Sequence, residues 1–318
     1  MKKISILTLA LTAVLSSCST RYLVTSSGEN LSALTKVTDT EEPCISPYGG
    51  DNGKDLFFAS RENGNYYNIY KKENPFSNAM SQKTSGKNFN ISPAYCAATD
   101  KIAFRCQMEG AASSDIYMMN NNQGKALSQI TESMNAYEDN PCFSKDGKFL
   151  VYDKITNNYY RSRSFWGGQV EVVQNTEVWL RNLETGENIL LGNGSQPSFS
   201  PDGKEIVFVK YSADARSCSI WTMNIDGGNQ TQVTDAKKGF AFHPRFSPSG
   251  RNIVFDCFRK DKKDSDIYII DVDGNNLSQI TINKSYDGQP YWTEDGYIYF
   301  VSDRGGKAGD RQIWRFKL

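Results

Sequence analysis

Residues able to do acid, base or ion-binding chemistry recur at one kind of position in this chain. Glu41, Glu42, Glu138, Asp139, Asn140, Gln196, His243, Asp287 and Gln289 all lie within three residues before a proline, and Arg61, Arg105, Arg259 and Arg304 close apolar runs. Glu138 and Asp139 are the types that a general acid-base pair needs. Carboxylates interleaved with arginines can hold a cation or a polar ligand, while any one of them alone caps a turn or binds solvent. His243 is the only histidine; it can act as a base or metal ligand, or occupy a structural place before Pro244. A serine-hydrolase site lacks its Gly-x-Ser-x-Gly segment and would rest on that one histidine. A structural zinc site lacks closely spaced cysteine pairs, so no metal and no cofactor is expected.

These residues are positioned by a repeat. Aligning on Pro43, Pro93, Pro141, Pro197, Pro244 and Pro290 gives units 50, 48, 56, 47 and 46 residues apart. Each proline is followed by an aliphatic-aromatic pair, such as Ile116-Tyr117, Ile220-Trp221 and Ile313-Trp314, in four units at a spacing of 24 residues. Self-similarity of this kind marks a repeat architecture. Four short apolar segments per unit, separated by turn signals and too close for crossover helices, predict antiparallel four-stranded meanders. In the fourth unit they fall near 198–200, 205–210, 219–224 and 230–234. Six such meanders in series make a six-bladed β-propeller, an all-β fold. The last unit ends at its third strand, and Leu34-Thr35-Lys36-Val37-Thr38 resembles the fourth strands elsewhere. The amino-terminal strand is therefore expected to complete the last blade, close the ring and remove an open edge.

Phe-Ser-Pro-Asp-Gly at 199–203, Phe-Ser-Pro-Ser-Gly at 246–250, Ser-Asp-Arg-Gly-Gly at 302–306 and Ile-Asp-Gly-Gly-Asn at 225–229 resemble TolB-type propeller repeats. The resemblance spans about residues 33–318. It implies a propeller, and propellers of this sequence type serve as binding scaffolds and as appendages of peptidases. Members of that family have a further domain before the propeller; here a tether is expected, so their transport role is not carried over. Propeller lyases are expected to use several histidines, which this sequence lacks.

The third unit departs most, with 14 extra residues within 155–174. Strand direction puts this insertion on the same face as the residues before each proline. It contains Tyr159, Tyr160, Arg161, Arg163, Phe165 and Trp166, types enriched at interface hot spots; the alternative is a hairpin whose aromatics pack on the next blade. Together with Glu138, Asp139, His243, Asp287 and Arg304 they form the candidate partner-binding set. The function expected is a non-catalytic binder of a protein or peptide, monomeric, on the channel-mouth face. The alternative is a carbohydrate-active or other lytic enzyme using the acidic residues there.

Residues 1–18 have Lys2 and Lys3, an apolar run from Ile4 and then Leu15-Ser16-Ser17-Cys18. That run is too short to span a bilayer and reads as an export signal. Leu-Ser-Ser-Cys resembles the bacterial lipobox, which implies a lipidated Cys18, a cell-envelope location and an outer-membrane anchor facing the periplasm. Residues 19–32 read as a flexible tether. Without the leader, 34 basic residues stand against 36 acidic ones; this balance, without basic clusters, excludes nucleic acid as a natural partner. Cys44, Cys96, Cys106, Cys142, Cys218 and Cys257 remain, and they read as small buried strand residues with disulfides left open. If Cys18 carries the anchor, Cys18→Ser should move the protein from the membrane to the soluble fraction or stall its processing. Membrane fractionation checks this, and unchanged fractionation would defeat it.

Overall fold

The computed structural model describes residues 34–50, 54–61, 65–122, 126–156, 159–163, 169–173, 175–213, 217–235, 239–259, 264–307 and 309–318. Among them there is no helix, and the strands form antiparallel meanders. After β1 (Thr35–Lys36), the first meander is β2 (Cys44–Gly49), β3 (Leu56–Ser60), β4 (Asn68–Lys72) and β5 (Ser81–Gln82). The second is β6 (Phe89–Cys96), β7 (Lys101–Gln107), β8 (Asp115–Asn120) and β9 (Ser128–Gln129). The third is β10 (Ala136–Phe143), β11 (Phe149–Thr156), β14 (Thr176–Asn182) and β15 (Asn188–Asn193), with β12 (Tyr159–Arg163) and β13 (Gln169–Val173) between its second and third strands. The fourth is β16 (Ser195–Phe199), β17 (Glu205–Tyr211), β18 (Cys218–Asn224) and β19 (Thr231–Gln232), and the fifth β20 (Gly239–Phe246), β21 (Asn252–Arg259), β22 (Ser265–Asp271) and β23 (Ser278–Gln279). The chain ends with β24 (Asp287–Trp292), β25 (Tyr297–Ser302) and β26 (Gln312–Lys317). β1 pairs antiparallel with β26, placing Thr35 opposite Arg315.

Packing between sheets follows from their composition. The second strands are near-continuous apolar runs, with Ile206, Val207, Phe208 and Val209 all fully buried, as expected for strands covered on both faces. Phe208 packs with Cys142, Val151 and Val178 of the third meander, while Val207 and Val209 pack with Ile253 and Phe255 of the fifth. Phe58 and Tyr70 of the first meander share a cluster with Tyr299 and Ile313 of the last and with Val37. Burying one such Val, Ile or Phe side chain contributes about 1.5–3 kcal/mol. The first strands touch in succession, β2 against β6, β6 against β10, β10 against β16, β16 against β20, β20 against β24, and β24 against β2.

Each first strand is bulged at an X-Pro step. Ser46, Ser92, Asn140, Gln196, His243 and Gln289 have φ between 49 and 54°, and the pairing register shifts across each of them. Proline fits because the parallel bridges that first strands make to the preceding meander, Cys218 to Phe240 and Ser114 to Tyr137, lie before the bulge, and at the proline the strand has a ladder partner on one side only, so the missing N–H costs no bond. The proline of the first unit is accordingly Pro47, not Pro43. The wide turn after it hides the match in the sequence, and with Pro47 the first two units are 46 residues apart. The prolines also lie inside their strands rather than at the start: β16 begins at Ser195, where the sequence pattern placed it at Ser198.

The recurrent threonine after each short fourth strand has one task. Its Oγ1 accepts the third-strand backbone N–H in the pairs Thr84–Ile69, Thr131–Ile116, Thr234–Ile220 and Thr281–Ile267, at 2.8–2.9 Å. Thr38 does the same for Ile313 at 2.8 Å and donates to Gln312 Oε1. Cys44, Cys96, Cys106, Cys142 and Cys218 are buried and Cys257 is half-buried. Thr281→Val keeps the shape and orphans a buried N–H, so it should cost about 1–3 kcal/mol. Thr38→Val should cost as much; urea denaturation measures both.

Candidate functional site

The bulges face the axis and turn their amides toward neighbouring sheets. Asp153 Oδ2 accepts the Gln196 N–H at 2.7 Å and the Asn140 side-chain amide at 3.0 Å. Gln196 Oε1 accepts the His243 N–H at 2.7 Å. His243 Nδ1 lies 2.8 Å from Asp256 Oδ1, which also accepts the Gln289 N–H at 3.0 Å, and Gln289 Oε1 accepts the Ser46 N–H at 2.8 Å. This relay crosses from the third sheet through the fourth, fifth and last to the first. At its start Asp139 accepts the Asn140 N–H at 2.6 Å and pairs with Arg105 at 3.1 Å.

These groups line an axial cavity of about 160 Å³ that includes Asp139, Asn140, Gln196, His243, Arg245 and Gln289. The Arg105, Asp139 and His243 side chains are 20%, 16% and 25% exposed. Asp153 and Asp256 support them from within, both buried. Burial first, and the Asp139 carboxylate second, push the Asp153 carboxyl up to about 7. Among the described residues no three of His, Cys, Asp and Glu converge on one point as metal ligands would.

The candidate set divides. Asp139 and His243 meet at the axial mouth. Glu138 does not, because successive strand side chains point to opposite faces: it lines a groove of about 630 Å³ between the second and third sheets, held by Ser133 at 2.8 Å and Lys154 at 3.5 Å. The two adjacent carboxylates therefore form no acid-base pair. Asp287 and Arg304 are not presented to a partner either. Asp287 is fully buried and takes Arg304 at 2.6 Å, Ser302 at 2.6 Å and Asn283 at 2.9 Å, and Arg304 stacks on Phe300 and Trp314. Burial raises the Asp287 carboxyl, against the lowering pull of Arg304. Tyr159, Tyr160, Arg161 and Arg163 lie on β12, which pairs with β13 as a separate ribbon with Arg161 opposite Glu171. Phe165, Trp166 and Cys18 lie outside the described residues. Asp153 and Asp256 are the site residues that sequence reasoning missed; their signal is a carboxylate inside an apolar run, Val151-Tyr152-Asp153 and Val254-Phe255-Asp256.

Residues 172–318 match the family model of the TolB β-propeller domain. The chain is built on a TolB-type β-propeller. It is 27% identical over 207 residues to the Tol-Pal system protein TolB of Francisella tularensis subsp. mediasiatica, a match covering 62% of this chain and 42% of that protein. The chain thus spans under half the length of the curated relatives it matches. The crystal structure of TolB from Acinetobacter baumannii superposes with a TM-score of 0.61 at 17% identity, over 77% of this chain and 59% of that one. An oligogalacturonate lyase in complex with manganese superposes with a TM-score of 0.61 at 16% identity, over 92% and 94%. At these identities the superpositions speak for the fold alone.

The relay makes a pH prediction for this propeller. A folded-state value of about 7 for Asp153, against about 3.9 when unfolded, means that the native state holds a proton the unfolded chain has released. Its contribution is therefore present below about pH 4 and lost as pH rises through 7. Asp153→Asn keeps an acceptor for Gln196 and should flatten this fall. Melting temperatures from pH 4 to 8 measure the slope, and an unchanged slope would contradict the assignment.

Proposed function

We propose that this protein is a non-catalytic, lipid-anchored binding protein of the cell envelope, a six-bladed TolB-type propeller closed by its amino-terminal strand, which captures a protein or peptide at its upper axial mouth. The observation that carries the proposal is the relay itself. It fixes Asp139 and His243, both partly exposed, at one small axial cavity, with Arg105 paired to Asp139 beside it. Polar groups held in place before a partner arrives lose little entropy on binding, and their mixed charge suits a polar chain segment better than an apolar one. The likeness to a Tol-Pal system protein supports an envelope partner. Closure of the ring is supported by the β1–β26 pairing and by Thr38 taking the role of Thr281.

The third-sheet insertion is the second part of the proposed surface. β12 and β13 extend from the same strand ends at which β10 begins, since Ala136 lies opposite Thr156. A partner seated on the mouth would lie beside this ribbon, and its Tyr and Arg residues would act as anchors.

A proton-transfer reading rests on the His243–Asp256 contact of 2.8 Å. The other carboxylate at the mouth, Asp139, is paired with Arg105 at 3.1 Å, and Glu138 faces the groove.

Replacing 158–168 by a short Gly-Ser turn should leave the melting temperature within a few degrees of wild type. The same change should lower partner recovery in affinity capture from crosslinked cells, each lost anchor weakening binding by about 2 kcal/mol. Arg105→Ala combined with Asp139→Ala should also lower recovery. Recovery unchanged by both would move the binding surface away from this face, and a large drop in melting temperature would make the insertion a structural element.

A further inference from the structure

Below the mouth the axis widens into a second cavity of about 460 Å³, within the roughly 300–1,000 Å³ of small-molecule sites. Aromatic residues recur in its walls among serines: Tyr95, Phe143, Phe199, Phe246 and Trp292 each stand two places after the proline of their sheet. Tyr48 and Tyr291 add a ring pair with centroids 4.5 Å apart at 42°. Lys145 and Glu294, an ion pair at 3.4 Å, lie at the lower rim and cancel one another.

Arg245 is the side chain out of keeping with these walls. It lines both the upper and the lower cavity, at the place after the proline taken elsewhere by Tyr48, Ala94, Cys142, Ser198 and Tyr291. Other arginines are matched: Arg61 with Glu42, Arg105 with Asp139 and Arg304 with Asp287. Arg315 donates to the Tyr299 hydroxyl and lies over the rings of Phe76 and Tyr297. Among the described residues Arg245 has no carboxylate partner, and its hydrogen bond is a 3.4 Å contact to the Pro197 carbonyl oxygen. Arg245 is partly exposed along the axis, and its planar fork of donors matches a carboxylate.

We propose that the lower axial cavity binds a small monocarboxylic acid with an apolar, ring-sized body, its carboxylate on Arg245 and its body against the Tyr48–Tyr291 pair. One unmatched positive charge suits a single carboxylate better than a phosphate dianion. The aromatic walls suit a flat apolar body. The inference does not depend on which partner the upper mouth takes.

Phenylacetate and its neutral, isosteric phenylacetamide are the probes, titrated into the mature full-length protein by calorimetry. Phenylacetate should bind at least about tenfold more tightly than the amide, the margin of a charge-assisted bond. Trp292 emission should report it, a signal that Trp292→Phe should remove. Arg245→Met should abolish the preference for the acid, and Arg245→Lys should restore part of it. Equal binding of acid and amide, or no binding of either, would overturn the proposal even if Arg245→Met failed to fold. So would a preference that survives in a folded Arg245→Met protein. N-acetyl-Gly-Phe with a free carboxyl terminus separates the sources: its binding without that of phenylacetate would point to a chain terminus and reject the small-molecule site.

Discussion

The fold depends on a backbone conformation that L-residues avoid. Six non-glycine residues, Ser46, Ser92, Asn140, Gln196, His243 and Gln289, hold φ near +50° at the bulge of an inner strand. Each costs on the order of 1–3 kcal/mol and persists only where the surroundings over-determine it. The surroundings here are the neighbouring sheets. The bulge frees an N–H from the ladder, and a carboxylate or amide side chain receives it: Asp153 for Gln196, Gln196 for His243, Asp256 for Gln289 and Gln289 for Ser46. At these four bulges strain within a strand is offset by bonds that join sheets, while the Asn140 N–H turns to its own neighbour Asp139.

That coupling explains why two carboxylates sit where an apolar residue would serve packing better. Asp153 and Asp256 occupy second strands otherwise buried and hydrophobic. An unpaired carboxyl there would be costly, but each accepts a backbone N–H across a sheet boundary. At the fourth sheet the same task falls to a neutral amide, Gln196 Oε1. The relay thus mixes carboxylates and amides.

The repeat, the strands and the antiparallel meanders were legible in the sequence because proline, Pro-Asp-Gly turns and Ile-aromatic pairs recur at nearly fixed spacing. The first proline was misplaced, since Pro47 is followed by Tyr48-Gly49-Gly50, which reads as a loop, while Pro43 offers a rival. The site was legible at Asp139 and His243, which stand directly on the bulge. It was not legible at Asp153 and Asp256, because a carboxylate in an apolar run shows its partner only when the next sheet is in place. Neighbouring residues also mislead in a strand: Glu138 and Asp139 are adjacent in sequence yet look into different cavities. Asp287 and Arg304 are 17 residues apart and are each other's partner.

Because the backbone at each bulge is nearly the same, differences between blades reside in the side chains on either side of the proline. The residue before it, Ser, Ser, Asn, Gln, His and Gln in turn, furnishes the upper mouth, and the residue after it, Tyr, Ala, Cys, Ser, Arg and Tyr, furnishes the waist of the axis. The first row is not constrained by apolar packing in the way that Phe208 or Val254 is, whereas Tyr48, Ala94 and Cys142 of the second row are buried in the core clusters. Both nevertheless hold unusual singletons: the sole histidine in the first row and an arginine without a carboxylate in the second. These two, His243 and Arg245, flank the same Pro244. The fifth blade thereby places a nitrogen-bearing side chain on both sides of Pro244, and the scaffold that fixes one of them fixes the other.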